Sequence, residues 1–93
     1  MKVIWQKAAI HSLREILEFI SQESPKSGEK YCQEIYTRVN SLLQFPEAGM
    51  VFQVNENRII RKIIIGKTKS IFYRVQNDRI HILAIRDNRQ TKK

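Results

Sequence analysis

Apolar residues recur at helical spacing along the first half of the chain. Ala9, Leu13, Ile16, Leu17 and Ile20 fall at i, i+4, i+7, i+8 and i+11, one stripe of an amphipathic helix running from Lys7 to about Gln22. Before it, Lys2-Val3-Ile4-Trp5 is short, β-prone and followed by polar residues, and reads as a first strand. Ser24-Pro25 restarts the chain, with Ser24 placed to cap and Pro25 at the first helical position, where its missing N–H costs nothing. Tyr31, Ile35, Val39, Leu42 and Leu43 then repeat the stripe, Glu34 and Arg38 form an i, i+4 pair on the wet side, and Phe45-Pro46 ends the helix. Helices of about 16 and 20 residues, roughly 24 and 30 Å long, joined by so short a link must run antiparallel as a hairpin.

Beyond the Pro46-Glu47-Ala48-Gly49 turn the period drops to two. Val51–Val54 turns through Asn55-Glu56-Asn57 into Ile59–Ile65, Gly66-Lys67-Thr68 leads into Lys69–Gln76, and Asn77-Asp78 leads into Arg79–Arg86. Short turns predict an antiparallel meander, with Ile63-Ile64-Ile65 and Ile82-Leu83-Ala84-Ile85 apolar on both faces as central strands. The fold class is therefore α+β, in the order β-α-α-β-β-β-β, with the helical hairpin packed on the sheet. In the strand Lys69–Gln76, Ile71, Tyr73 and Val75 share one face and Phe72 and Arg74 the other, which puts Tyr73 in the core. Residues 1–93 make one domain, and the segment from Asp87 to Lys93, with no apolar residue, is expected to be a mobile tail.

Charge separates the two halves. Through Met50 six basic and six acidic residues cancel, whereas the remainder holds eleven bases against Glu56, Asp78 and Asp87 and supplies the whole net charge of +8. Between Arg58 and Arg74 lie six bases and no acid. Such a one-signed field favours an anionic partner, a polyanion or an acidic protein. No apolar run is long enough to span a bilayer, the N-terminus lacks the apolar stretch of a signal peptide, and the lone Cys32 suits a reducing compartment, so the cytoplasm is the expected location.

The chemistry-bearing residues are few. There is no His pair at helical spacing, no Cys cluster and no glycine-rich phosphate loop, so neither a metal nor any other cofactor is expected. His11 borders the first helix's stripe, Cys32 reads as a small core residue, and His81 lies in a strand where it is either a core-edge imidazole or a group on the open sheet face. Arg61, Arg74, Arg86 and Arg89 come from strands or strand ends that a meander can bring to one rim, and guanidinium groups clamp phosphate or carboxylate bidentately. With them Arg58, Lys62, Lys67 and Lys69 complete the candidate binding set.

In order and spacing, several segments together resemble the RelE/ParE superfamily of toxins from bacterial type II toxin–antitoxin modules. They are the stripe Ala9, Leu13, Ile16 and Ile20, then Ser24-Pro25, Leu42-Leu43-Gln44-Phe45-Pro46-Glu47-Ala48-Gly49, Arg61, Ile71-Phe72-Tyr73-Arg74-Val75, Ile80 through Ile85, and Arg89. The resemblance implies a growth-inhibiting toxin held inactive by an acidic, partly disordered antitoxin that wraps it. RelE-like members cleave mRNA on the ribosome and ParE-like members poison DNA gyrase. Ribonuclease-type members commonly carry an arginine two or three residues before the tyrosine matching Tyr73, where this chain has Ser70 and Ile71; they also tend to carry a C-terminal tyrosine or histidine, absent after Arg86. The hairpin and the Phe45-Pro46 to Gly49 segment resemble the ParE branch, which implies binding without chemistry. In the ribonuclease alternative Arg61, Arg74 and Arg89 would stabilise the phosphate, with His81 or Tyr73 as base and no metal. A degenerate, non-toxic antitoxin-binding protein is the third reading.

Overall fold

A computed structural model describes residues 1–89 of the chain. The elements are β1 (Lys2–Trp5), α1 (Lys7–Ser21), α2 (Pro25–Ser41), β2 (Met50–Asn55), β3 (Arg58–Ile65), β4 (Lys69–Gln76) and β5 (Arg79–Asp87), in the order and of the types the periodicities predict. They form one five-stranded sheet in the order β1-β5-β4-β3-β2. Strands β2 to β5 are the expected antiparallel meander, and β1 lies parallel to β5 at the far edge. Both helices cover one face. Ala9, Leu13, Ile16 and Ile20 from α1 and Tyr31, Ile35 and Val39 from α2 meet Ile63, Ile71, Tyr73, Ile80, Ile82 and Ile85 in a single core.

Gly28 faces Ser21 across the hairpin, where a Cβ would stand 2.7 Å from the Ser21 Oγ and would turn that hydroxyl aside. Pro25 opens α2 as expected, but Ser24 caps only through its backbone, its carbonyl accepting the Ser27 N–H at 3.1 Å. Helix α2 is shorter than its apolar stripe suggests: it ends at Ser41, and Leu43, Gln44 and Phe45 donate to the Asn40 and Ser41 carbonyls in successive turns. Phe45 precedes a proline, which disfavours helical backbone there, so the chain leaves the helix early and Leu43 and Phe45 stay exposed. Glu34 pairs not with Arg38 but with Lys69 of β4, at 3.3 Å.

Strand β1 is only four residues long and pairs β5 from Arg79 to Ile82, leaving the later N–H groups of that side of β5 without a strand partner. Ser12 of α1 takes one of them, its Oγ accepting from the Ile85 N–H at 3.0 Å. The opposite face of the sheet is uncovered, and Ile64, expected to be buried, is 46% exposed. The expected tail also begins too early. Asp87 is the last residue of β5 and is 1% exposed, while the Asn88 N–H bonds the Thr68 carbonyl at 2.8 Å. Counting charges places Asp87 with the polar tail, but strand parity places it on the core face after Ile85. The rest of the expected tail, residues 90–93, lies outside the described residues.

Candidate binding face and the loop clamp

The alternation of β4 sends Tyr73 inward, and in the register of β3 and β4 it stands directly opposite Arg61. Both reach the Pro46–Gly49 turn. Tyr73 Oη donates to the Pro46 carbonyl at 2.8 Å and accepts the Gly49 N–H at 2.9 Å, and Arg61 Nη1 donates to the Gly49 carbonyl at 2.9 Å and more weakly to that of Glu47 at 3.4 Å. A Cβ on Gly49 would lie 2.9 Å from both Tyr73 Cε1 and Oη, so only glycine lets the turn come this close. Burial pushes the Tyr73 hydroxyl above the ordinary tyrosine range, against the smaller opposing effects of the Gly49 N–H and Arg61. A phenol so engaged holds a loop and is poorly suited to taking a proton.

Arg89 is also engaged. Its Nε and Nη2 donate to Asp87 Oδ1 and Oδ2 at 3.0 and 2.9 Å, and its backbone N–H donates to Oδ1 at 2.9 Å. The buried Tyr31 hydroxyl donates to Asp87 Oδ2 at 2.8 Å. Burial alone would raise the Asp87 carboxyl, but the Arg89 side chain and backbone and the Tyr31 hydroxyl together hold it below the usual carboxylate range. The same burial, with Asp87 as neighbour, drives Tyr31 upward. Lys69 completes this end of the sheet, its Nζ 5.2 Å above the Tyr31 ring and paired to Glu34.

The expected single rim of arginines therefore does not form. Arg61 and Arg89 belong to clamps on the helix side, whereas Arg74 and Arg86 are on the open face, opposite His81 and Ser70 respectively. Ser70 and Arg74 are four positions apart on β4, roughly 13 Å of strand. Across the open face run Phe52, Lys62, Phe72 and Arg86, one from each of four neighbouring strands. Phe52 and Phe72 meet edge to face at 4.9 Å between centroids, Lys62 Nζ lies 5.5 and 5.6 Å from them, and Arg86 Cζ 5.8 Å from Phe72. Beside this row His81 Nδ1 accepts from Gln6 Nε2 at 3.0 Å, and Arg74 Nε is buried without a hydrogen bond. Arg58 and Lys67 sit at the two ends of β3, Arg58 pairing Asn55 at the β2–β3 turn and Lys67 in the β3–β4 turn. His11 is on α1, 3.2 Å from Glu15, and Cys32 lines a groove between the helices with Trp5, Leu17 and Tyr36; burial raises its thiol.

Among the described residues no group of three or more His, Cys, Asp or Glu could hold a metal ion, and no helix is long and apolar enough to cross a membrane. Residues 3–91 match the family model described as ParE toxin of type II toxin-antitoxin system, parDE. The chain belongs to the ParE toxin family. Among relatives of this ParE-family toxin, Toxin RelE2 of Caulobacter vibrioides is 27% identical over 85 residues, covering 91% of this chain and 92% of the relative. A solved chain of the chromosomal ParDE TA system from P. aeruginosa superposes with a TM-score of 0.78 at 24% identity, over 94% of this chain and 95% of that one, a likeness of fold. This ParE-family chain is thus the toxin of a type II toxin–antitoxin module, whose partner is a cognate antitoxin.

Sequence reasoning did not find the Asp87 network. Its signal was present: among the described residues Asp87 is the only acid in any strand, and it has the parity of Ile85. The Gly49 contact with Tyr73 gave no local signal, since the two are 24 positions apart.

Proposed function

We propose that this toxin acts as a gyrase poison by binding, and that an acidic, partly disordered antitoxin segment neutralises it. The observation that carries the binding reading is the occupation of Tyr73. Of the residues a metal-free ribonuclease would use, Tyr73 commits its hydroxyl, Arg61 its Nη1 and Arg89 its Nε and Nη2 to loop and strand-end clamps, which leaves Arg74 and His81 outside them. A guanidinium and one imidazole give electrostatic stabilisation and one proton-transfer group, short of the acid and base that strand cleavage needs.

The antitoxin reading is supported by β2, an edge strand whose six residues are all exposed and include Met50, Val51, Phe52 and Val54. An extended segment can add to such an edge through main-chain hydrogen bonds, with its carboxylates steered by Arg58 and Lys62 of the adjoining strand. Rising salt should then slow association more than it speeds dissociation, as stopped-flow mixing with the antitoxin would reveal.

The decisive experiment adds purified toxin to a gyrase supercoiling reaction. Inhibition or trapped cleaved DNA is expected, and an untouched reaction at stoichiometric excess rejects the gyrase target. Primer extension on mRNA after induction should show no new cuts, whereas ribosome-dependent cuts would establish the ribonuclease reading. Induction without antitoxin should arrest growth, and normal growth would mark a degenerate member.

A further inference from the structure

The open face of the sheet has a composition that its stability does not require. Among the described residues the only carboxylate in any strand is Asp87, and it is buried on the helix side, so these strands place no acid on the open face. That face carries Lys62, Arg74 and Arg86, and none of them has an acidic partner among the described ion pairs. Two phenylalanines lie among them, and Phe52 is 52% exposed.

The Arg74 and His81 pair is built in more detail. The two face each other across β4 and β5. With the Gln6 amide as donor, His81 Nδ1 accepts, so the proton of the neutral ring sits on Nε2 and makes a second N–H donor beside the guanidinium. Arg74 Nε is buried and has no acceptor in the protein. Arg74 as a residue is only half-buried, and its charge has no acidic partner among the described ion pairs, so it stays available to an anion at this face.

We propose that this face binds single-stranded nucleic acid, with bases stacking on Phe52 and Phe72 and a backbone phosphate held by Arg74 and His81. Rings interleaved with cations are what such strands require, because every base has a stacking face and every nucleotide a phosphate. An acidic polypeptide would match the charge but leave the rings without a role, and its main chain is better served by the β2 edge. The proposal goes beyond the gyrase reading and does not depend on it. Binding here needs no cleavage.

The test is fluorescence anisotropy of a short labelled oligothymidylate titrated with the full-length toxin. Affinity should fall with salt at a log–log slope of about 0.7 per phosphate neutralised. Arg74→Gln should weaken binding about tenfold or more, the expected loss for a charge-assisted hydrogen bond, and Phe72→Ala by a similar factor from lost stacking. The oligonucleotide should be recovered uncut. As a readout that does not depend on how either variant folds, amide shifts of the unsubstituted toxin are followed in parallel and should move on β3, β4 and β5 near Lys62, Phe72 and His81. Absence of binding at low salt, shifts confined to the helices, or an oligoglutamate that displaces the strand at equal charge would each overturn the proposal. Supercoiling inhibition is read separately, so either reading can fail alone.

Discussion

Gly49→Ala is expected to destabilise the toxin by about 3 kcal/mol, combining roughly 1–3 kcal/mol for overpacking with the loss of one or more buried hydrogen bonds. The new methyl would meet Tyr73 Cε1 and Oη at 2.9 Å and the Lys62 carbonyl oxygen at 3.1 Å. The carbonyl belongs to the sheet and cannot retreat, so Tyr73 must move. The phenol ring is fully buried, and moving it breaks its bonds to Pro46 and Gly49 together. For a domain of this size the expected fall in Tm is about 12–24 °C, since each kcal/mol is worth about 4–8 °C. Tyr73→Phe keeps the ring and removes only the hydroxyl, leaving a buried N–H and a carbonyl short of a partner, a cost of about 2 kcal/mol. Urea denaturation of both variants provides the check, with midpoints reduced and slopes unchanged. A Tyr73→Phe protein of undiminished stability would mean that the hydroxyl is not a clamp, and would restore it as a candidate base.

This clamp shows what the sequence made legible and what it did not. The stripes of α1 and α2 and the alternation of β4 are local, repeated signals of a single apolar face, and they located the core residues and placed Tyr73 inside. What the hydroxyl does depends on Pro46, 27 positions away, and on Gly49, and no periodicity encodes that. The placement of β1 was hidden for the same reason: its parallel partner β5 comes from the other end of the chain.

The arginines divide along this line. Alternation within β4 separates Arg74 from Tyr73, but whether Arg61 joins one or the other depends on the β3–β4 register, which pairs it with Tyr73. One rim of arginines thus became two clamps and one open face. The net +8 includes cations already committed to holding the fold, and the charge left for a partner is concentrated on the open face and at the turns.

Asp87→Ala is expected to cost about 3 kcal/mol at neutral pH, from an unsatisfied buried donor and the loss of charge-assisted bonds, the Arg89 share being reduced because that side chain is half exposed. Tyr31, 4% exposed, would lose its acceptor. Asp87→Asn keeps an acceptor for Tyr31 and should cost less. The pH dependence follows from the carboxyl's depressed folded-state value: the unfolded chain binds the proton more readily, so the ionised network stabilises the fold above the ordinary carboxylate value of about 4. That stability is lost as pH falls below about 4 and through the folded-state value. Urea midpoints measured from neutral pH down to about pH 3 should therefore converge for the parent and the Asp87→Ala variant toward the acid end. A gap of constant size across that range would show that the ionised carboxylate adds nothing beyond its neutral hydrogen bonds, and that Arg89 rests on Asp87 without being held by it.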